Sequence, residues 1–262
     1  LRLVRVPTTV LAQNDVGVGV KNGIDLDGVK NLIGVFAPPF AVLADFNFLV
    51  TLPDREWRAG AAEAFKVALI KDAAFFGFLC REAGAVFRRD KAVMQHLIRR
   101  CAELHLDHIR TGGDPFEMGS ARPLDFGHWS AHHLEMLSRH ALQHGEAVAI
   151  GIALDTTYAA RAGWVTSEVR EALLSALTEC GLAIWHPLLE ARDADGALAI
   201  LGGLERFREH LGGRLTLTFP DGPGRQREEH ALDFAEIAAS VDYLRNWQGL
   251  RSGQNLATHQ HP

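Results

Sequence analysis

The sequence predicts a mainly helical protein with a short α/β segment at its N-terminus and one late β-hairpin. Residues 1–50 alternate apolar stretches with glycine-rich polar ones and are punctuated by prolines, as strands and their connections are. Across residues 54–211, apolar residues recur at three- and four-residue spacing, which is the period of an amphipathic helix. The 262 residues, 47% of them hydrophobic, are enough to build a sizeable core.

The N-terminal segment is expected to hold two strands separated by a loop. "LRLVRVP" is rich in apolar and β-branched residues and ends at Pro7, so it predicts a strand. The following "NDVGVGVKNGIDLDGVKNLIG" carries five glycines and predicts a polar loop, either one that closely approaches a bound phosphate or ribose or a plain surface loop. "FAVLADFNFL" predicts a buried strand between Pro38–Pro39 and Pro53.

Helices are predicted from Asp54 onward, with Asp54 itself as the expected N-cap. Further helices are predicted at residues 90–110, 128–142, 144–163, 166–180 and 196–211. Small residues in "GEAVAIGIALDTTYAARAG" allow neighbouring helices to approach closely. An alternating "RLTLTF" followed by Pro-Asp-Gly-Pro-Gly predicts a hairpin within residues 215–233. The tail 252–262, "SGQNLATHQHP", is expected to be disordered.

Composition indicates a cytoplasmic protein. The net charge of -5 and the pI near 6.2 give no reason to expect nucleic acid or an anionic membrane as a partner. Cys80, Cys101 and Cys180 form no CxxC pair, so they are expected to be reduced thiols that act as small apolar residues. Neither an apolar run of about 18 residues nor a signal peptide is visible. Because the chain begins at Leu1 without Met, it is expected to be a fragment.

Histidines are concentrated in "RPLDFGHWSAHHLE" and "HALQHGEAVAIG". His128 and His132 are four residues apart and share one helix face, and His144 opens the next helix. Imidazoles and a carboxylate from separate helices suit a divalent ion with one position left for substrate. Since a His-x3-His pair is often only solvated, the spacing leaves open a metal site, a proton-relay site or an accident of composition. The other ionisable residues of this stretch are expected outside the site: His133, Glu135 and Glu146.

The wider pattern resembles 3-dehydroquinate synthase and its sugar phosphate cyclase relatives. The stretch from Val6 to Ile70, "DFGHWSAHHLE", "HGEAVAIGIA" and "GGRLTLTFPDGPG" occur in the family's order over almost the whole chain. Through "RPLDFGHW" and "HGEAVAIGIALD" the chain is most similar to dehydroquinate synthase-like proteins encoded in ebo-type operons. The resemblance implies that residues 1–53 are the remnant of a Rossmann-like NAD-binding α/β domain and residues 54–251 a helical metal- and substrate-binding domain. The family's first half, with its glycine-rich pyrophosphate turn, is expected to be missing.

The resemblance also implies the site residues. The family's metal ligands fall on Glu63, His128 and His144, and His132 then faces the substrate as a proton carrier. The implied catalytic and substrate-side residues are Lys21, Asn31, Lys66, Asp125 and His132. The positions that line NAD in the family are Thr8, Thr9, Asp15, Lys30, Phe48 and Thr51. Taken singly, each also has a plain structural interpretation, such as a solvated loop charge for Lys30 or a core side chain for Phe48.

Several substrate-facing positions depart from the family's pattern. Asp125 stands where dehydroquinate synthases carry Asn, and His105 stands where they carry Lys. An anion at the first position and the loss of a cation at the second would weaken recognition of a substrate carboxylate, so a neutral sedoheptulose-type sugar phosphate is predicted. The remaining departures are Gly19-Val20 in place of paired glycines, an arginine displaced to Arg122, and a missing late lysine pair with Arg206 and Arg208 nearby.

The implied activity is that of a carbon–oxygen lyase that depends on NAD and on Zn²⁺ or Co²⁺. It would eliminate phosphate from a small sugar phosphate and close a carbocycle, in a protein expected to be a homodimer. A metal-dependent polyol or alcohol dehydrogenase of the same superfamily is one alternative, which the register of "FGHWSAHHLE" with "HGE" disfavours. A non-catalytic truncated homologue is the other, and the departures and the missing half favour it. Alone, the chain is expected to bind NAD poorly.

Overall fold

The structure is a computed structural model, and it describes residues 2–26, 29–111, 123–210 and 213–258. For most of residues 21–36 and for residues 251–258 only the backbone is described. The chain is mainly helical, with a short α/β segment before the helices and a hairpin near the end, as the sequence predicts. The helical part encloses one continuous hydrophobic core.

The glycine-rich stretch of the N-terminal segment is a hairpin, so its prediction as a loop was wrong. A π-helical turn, Ala12–Val16, is followed by β2 (Lys21–Leu26) and β3 (Val29–Phe36), which pair antiparallel with Gly23 opposite Gly34. The apolar residues between the glycines alternate with polar ones, and this period of two favours a strand. Two of the five glycines that suggested a loop, Gly23 and Gly34, face each other across the ladder instead.

The predicted buried strand "FAVLADFNFL" was also wrong for most of its length. β1 (Val4–Arg5) pairs in parallel with β4 (Ala41–Val42), but the chain then turns into a 3₁₀ helix, Phe46–Thr51. Asp45 is the N-cap of that helix, because its carboxylate accepts the Asn47 N–H at 2.9 Å. The stretch is not buried either, since the side chains of Phe40 and Phe48 are 62% and 44% exposed.

The helices follow one another through the rest of the chain. They are α1 (Asp54–Ala59), α2 (Ala61–Lys71), α3 (Ala73–Phe87), α4 (Lys91–Thr111), α5 (His128–Leu137), α6 (His144–Arg161), α7 (Ser167–Glu179), α8 (Gly202–His210) and α9 (Phe234–Thr258). α4, α6 and α7 match their predictions closely. α5 ends before the predicted residue 142, because Arg139 and His140 adopt left-handed backbone angles. α8 is shorter than predicted at its start, where Ala199–Leu201 forms a 3₁₀ turn.

α6 is the central helix and is buried over nearly all of its length. Its small residues do allow close approach, as predicted. A Cβ added to Gly145 would lie 2.1 Å from the Ala59 carbonyl oxygen, and one added to Gly151 would lie 2.1 Å from the Gly127 carbonyl oxygen. The first contact brings the start of α6 against the α1–α2 junction, and the second brings the middle of α6 against the start of α5.

The C-terminal part contains the predicted hairpin and a long helix that was not predicted individually. β5 (Leu217–Pro220) and β6 (Gln226–Glu229) pair antiparallel, and Phe219 packs on Tyr158 of α6 with ring centroids 5.5 Å apart. α9 continues to Thr258, so residues 252–258 are helical although disorder was predicted for 252–262, and 259–262 lie outside the described residues. No proline occurs between Pro223 and Pro262, so a helix nucleated by packing on α6 can propagate.

The remaining compositional predictions can be compared with the fold. All three cysteines are free, and Cys101 and Cys180 are buried as small apolar residues should be. Burial raises the pKa of the Cys80 thiol to about 11, so this thiol stays protonated at neutral pH. Among the helices that the structure describes, none has both the length and the apolar run needed to cross a membrane.

Candidate metal and substrate site

α2 places two opposite charges in the core. Glu63 and Lys66 lie three residues apart on one face, are 0% and 2% exposed, and form an ion pair through Glu63 Oε2 and Lys66 Nζ. Burial favours the neutral carboxyl, but the charge of Lys66 and the nearby imidazoles hold the pKa of Glu63 well below its usual range. Burial likewise opposes the charge of Lys66, and Glu63 and Asp15 raise its pKa instead. The pair is therefore ionised in the core.

His128 and His144 are the first residues of α5 and α6, and both rings point at Glu63. His128 Nε2 lies 3.6 Å and His144 Nε2 lies 3.3 Å from Glu63 Oε1. His128 Nδ1 is 3.0 Å from the Phe126 carbonyl oxygen. A carbonyl can only accept, so Nδ1 carries the proton and Nε2 presents its lone pair to the centre of the site. Three helices thus deliver one carboxylate and two imidazoles to one point.

The donor atoms fit a divalent ion. Zinc binds carboxylate oxygen and imidazole nitrogen at about 2.0–2.2 Å, so two ligands of a tetrahedral ion lie roughly 3.3–3.6 Å apart. The distances from Glu63 Oε1 to the two Nε2 atoms are of this size. Glu63 Oε2 is paired with Lys66, whereas Oε1 accepts no hydrogen bond of normal geometry from the described residues. A buried acceptor without a hydrogen bond is costly, and a cation shared with the two imidazoles would satisfy Oε1.

His132 lies one turn after His128 and completes a cluster of three imidazoles. Ligand atoms of His128, His132 and His144 all lie within 4.8 Å of one another, and the His132 ring centroid is 5.3 Å from that of His128. His132 is exposed, whereas His128 is buried. It therefore borders the solvent side of the cluster, which is the side open to a substrate.

Glu135 belongs to the site, although the sequence placed it outside. It is 6% exposed, and its Oε1 lies 3.3 Å from Nδ1 of His144. A carboxylate on the far nitrogen of a ligating imidazole fixes the ring and raises its basicity. Burial lowers the pKa of His144, but Glu135 and Glu63 outweigh burial and bring it to about 9.

The two other polar residues of this stretch do lie elsewhere. Glu146 accepts the Gln143 N–H at 2.9 Å, completing a capping box at the start of α6, and pairs with Arg55. His133 points away from His132 and packs against α8, where a Cβ on Gly202 would meet its ring at 3.2 Å.

A second polar group lies next to Lys66. Asp15, on the π-helical turn, places Oδ1 2.9 Å from Nδ1 of His105 on α4. Asn14 holds this turn in place by donating Nδ2–H to the Gly60 carbonyl oxygen at 2.7 Å. Burial would raise the pKa of Asp15, yet Lys66 and His105 lower it, so the carboxyl is an anion. The family resemblance implies that Asp15 lines the NAD site, and in the structure its carboxylate contacts His105.

Asp125 is the third carboxylate around Lys66. It ends the 3₁₀ turn Pro123–Asp125, two residues before the left-handed Gly127, and is partly exposed. Its charge raises the pKa of Lys66, as do those of Glu63 and Asp15. Three carboxylates, those of Glu63, Asp15 and Asp125, therefore act on the Lys66 ammonium.

The predicted NAD-lining residues do not converge on one point as Glu63, His128 and His144 do. Thr8, Phe48 and Thr51 are exposed, and Thr9 is half-buried, where its Oγ1 accepts the Ala12 N–H at 3.1 Å. The interpretation of Phe48 as a core residue is wrong. Lys21, Lys30 and Asn31 lie on β2 and β3, but their side chains are outside the described residues, as is all of Arg122. Arg206 and Arg208 are exposed on α8, where Arg208 pairs with Glu205.

Comparison with models of known protein families shows which family the chain belongs to. The model of the 3-dehydroquinate synthase C-terminal domain matches residues 60–201, and that of the 3-dehydroquinate synthase N-terminal domain matches residues 1–59. The chain belongs to the 3-dehydroquinate synthase family. Within the family it is similar to more than one enzyme.

A 3-dehydroquinate synthase of Xanthomonas campestris pv. campestris is 36% identical over 91% of this chain and 62% of the relative. A 2-epi-5-epi-valiolone synthase of an Actinomyces species is 33% identical over 94% of this chain and 65% of the relative. The chain therefore spans less than two thirds of the length of these members of the 3-dehydroquinate synthase family.

A solved structure shows the same fold. The 2-epi-5-epi-valiolone synthase of Streptomyces hygroscopicus subsp. jinggangensis 5008, with NAD⁺ and Zn²⁺ bound, superposes with a TM-score of 0.83 at 29% identity, covering 94% of this chain and 66% of that one. Glycerol dehydrogenase from Schizosaccharomyces pombe has a TM-score of 0.61 at 15% identity over 96% of this chain and 66% of that one, which is a likeness of fold alone.

Proposed function

We propose that this chain forms the metal- and substrate-binding part of a sugar phosphate cyclase, a carbon–oxygen lyase that uses NAD and Zn²⁺ or Co²⁺. The observation that carries the proposal is the convergence of Glu63, His128 and His144 on Glu63 Oε1, a buried oxygen that accepts no hydrogen bond of normal geometry from the described residues. A cluster of this composition suits Lewis-acid catalysis on a hydroxyl or carbonyl oxygen. Membership of the 3-dehydroquinate synthase family and the NAD⁺ and Zn²⁺ in a relative's structure support it.

When bound, the metal ion would polarise substrate oxygens and NAD would accept and return a hydride, which together acidify a C–H so that phosphate can leave. Glu63, His128 and His144 would hold the ion, and Glu135 would fix the His144 ring through Nδ1. His132, exposed beside them, is the group placed to carry a proton between substrate and solvent. Lys66 would stabilise negative charge that develops on a substrate oxygen.

We propose further that the substrate is a seven-carbon sugar phosphate without a carboxylate. Asp125 and Asp15 contribute negative charge next to Lys66, and His105 lies against Asp15. A substrate carboxylate would meet two anions here, where like charges in a poorly solvated site repel strongly. Sugar hydroxyls, by contrast, can donate hydrogen bonds to a carboxylate.

The proposal is tested on the full-length protein that contains this chain, with NAD and Zn²⁺ or Co²⁺. We expect phosphate release from a sedoheptulose-type seven-carbon phosphate and essentially none from the carboxylate-bearing precursor of 3-dehydroquinate. Efficient 3-dehydroquinate formation would overturn the substrate assignment. Metal binding without turnover of any seven-carbon sugar phosphate would favour the non-catalytic homologue.

We also propose that the protein is a cytoplasmic homodimer. Three free cysteines, two of them buried, suit a reducing compartment. Light scattering on the full-length protein would give the dimer mass if this proposal holds, and a monomer mass would contradict it.

A further inference from the structure

Asp155 is a buried carboxylate that the sequence did not assign to the site. It lies midway along α6 and is 1% exposed. Its Oδ2 accepts the Gly127 N–H at 3.0 Å, and its Oδ1 accepts the indole N–H of Trp129 at 2.9 Å. Burial raises the pKa of Asp155 to about 7 against the effect of these two hydrogen bonds. An apolar side chain would be the less costly occupant of such a position, so the acid calls for an explanation.

The contact with Gly127 leads to His128 through one peptide group. The Gly127 N–H and the Phe126 carbonyl belong to the same peptide unit. That carbonyl oxygen accepts the proton of His128 Nδ1 at 3.0 Å. In a trans peptide the N–H and C=O point in opposite directions. Asp155 and the His128 ring therefore bind the two ends of one dipole.

We infer that Asp155 is a positioning residue for His128, acting through the Phe126–Gly127 peptide. The inference rests on the proposed role of His128 as a metal ligand. A carboxyl oxygen that accepts the Gly127 N–H strengthens the Phe126 carbonyl as an acceptor, because hydrogen bonds in series polarise one another. A stronger acceptor on Nδ1 fixes the ring in the tautomer whose Nε2 lone pair faces Glu63. The arrangement is a carboxylate–histidine pair with a peptide group inserted between its members.

The turn that carries this peptide is held at the right place by α6. Gly127 has a left-handed backbone, φ +77°, and is the N-cap of α5 without a side-chain cap. A Cβ there would lie 2.6 Å from Ile152 Cγ2, so the turn is seated directly on α6, one helical turn before Asp155. Packing alone fixes the position of the turn, whereas the hydrogen bond from Asp155 fixes the direction of the peptide dipole.

The test compares Asp155→Leu, Asp155→Asn and the control Trp129→Phe in the full-length protein. Zn²⁺ affinity, the visible spectrum of bound Co²⁺ and the ¹⁵N chemical shifts of His128 in the metal-free protein are measured. We expect Asp155→Leu to weaken metal binding by about 10–100-fold, to shift the Co²⁺ band and to mix the two His128 tautomers. Asp155→Asn, which retains one acceptor for the Gly127 N–H, should fall between. Trp129→Phe should keep near-original metal affinity, because Asp155 still binds the peptide.

The outcomes separate this inference from the proposed function. An unsubstituted protein that binds no metal would refute the metal site itself. Metal binding in that protein together with unchanged affinity and Co²⁺ spectrum in folded Asp155→Leu would overturn the inference alone. Equal losses in Trp129→Phe and Asp155→Leu would also overturn it, since Asp155 would then act through indole packing. If Asp155→Leu does not fold, Asp155→Asn decides: unchanged affinity and a single His128 tautomer would overturn the inference.

Discussion

The N-terminal segment and the helical part of this chain treat their predicted site residues in opposite ways. In the helical part, Glu63, Lys66 and His128 are buried, and each contacts another charged or ligating group. In the N-terminal segment, Thr8 and Phe48 are exposed, and the Phe48 carbonyl oxygen only accepts a hydrogen bond from the Thr51 hydroxyl at 3.3 Å. The difference follows from what each is expected to bind. Metal ligands must be fixed to a fraction of an ångström, which requires packed helices, whereas an extended cofactor can be bound by a surface that a second layer completes.

The electrostatics of the two regions differ as well. The core site concentrates several ionised groups where solvent cannot screen them, so each depends on its neighbours. The exposed hydrophobic residues of the N-terminal segment, Leu3, Val4, Val6, Val16, Phe40, Leu43, Phe48 and Val50, depend on no such network. Substitutions in the core site should therefore change both stability and ligand binding, and substitutions in the N-terminal segment should change binding alone.

The largest effect is expected from Glu63→Gln. The substitution removes a metal ligand and leaves the Lys66 ammonium buried without its partner, which costs about 3–5 kcal/mol. Zinc titration should show at least about 100-fold weaker binding, and urea unfolding should show the loss of stability. The double variant Glu63→Gln with Lys66→Met removes both charges and should regain most of the stability but none of the metal affinity. Wild-type metal affinity in either variant would show that Glu63 is not a ligand.

Asp125→Asn should have the next largest effect. It removes a charged acceptor from the substrate side, worth about 1.5–3 kcal/mol or one to two decades in kcat/KM with the carboxylate-free substrate. Because Asp125 is partly exposed, the unfolding free energy should change little. Kinetics on both seven-carbon substrates would check this, and an undiminished rate with the neutral one would remove Asp125 from the site. The asparagine variant of the exposed Asp107, far along α4, serves as the matched control.

A smaller effect should come from His133, which is buried but outside the metal cluster. Burial lowers the pKa of His133, and the charge of Arg206 lowers it further. A hydrogen bond with the Ala199 backbone acts in the opposite direction but does not outweigh them. The unfolded chain then binds a proton more readily than the folded one below pH 6.5, so stability is lost as pH falls from there through the lower folded pKa, by at most about 1.4 kcal/mol per pH unit. In His133→Gln, unfolding curves between pH 7 and 5 should show a shallower dependence. An identical slope in the variant would mean that this histidine does not titrate with unfolding.

The smallest effect on stability is predicted for Phe48→Ser, which makes it the sharpest probe of the N-terminal segment. Phe48 is 44% exposed, so the unfolding free energy should change by less than about 0.5 kcal/mol. If Phe48 lines the NAD site, the full-length protein should lose about one decade or more of NAD affinity, as expected when an aromatic ring is no longer buried against a ligand. A large loss of stability, or unchanged NAD affinity, would contradict the expectation that substitutions in the N-terminal segment change binding alone.

Local pattern was enough to predict the helices and the late hairpin. Apolar spacing gave α4, α6 and α7 nearly to their ends, because a packed amphipathic helix must repeat its buried face along its own length. The four-residue interval between His128 and His132 likewise placed both rings on one face. The resemblance to the cyclase family added Glu63, which no local spacing singles out.

Tertiary packing decided the rest. The exception is the Asp45 cap, a contact between residues two apart, which turned a predicted strand into a 3₁₀ helix through a local signal. Glu135 and Asp155 looked like ordinary helix residues, and only the crossing of α5 and α6 puts one on the His144 ring and the other beneath the His128 turn. The sequence by itself determined which residues could ligate a metal and which segments would be helical. Whether those residues meet depends on contacts between positions far apart in the chain, such as Gly145 of α6 against Ala59 at the end of α1. Such contacts arise only when the helices pack.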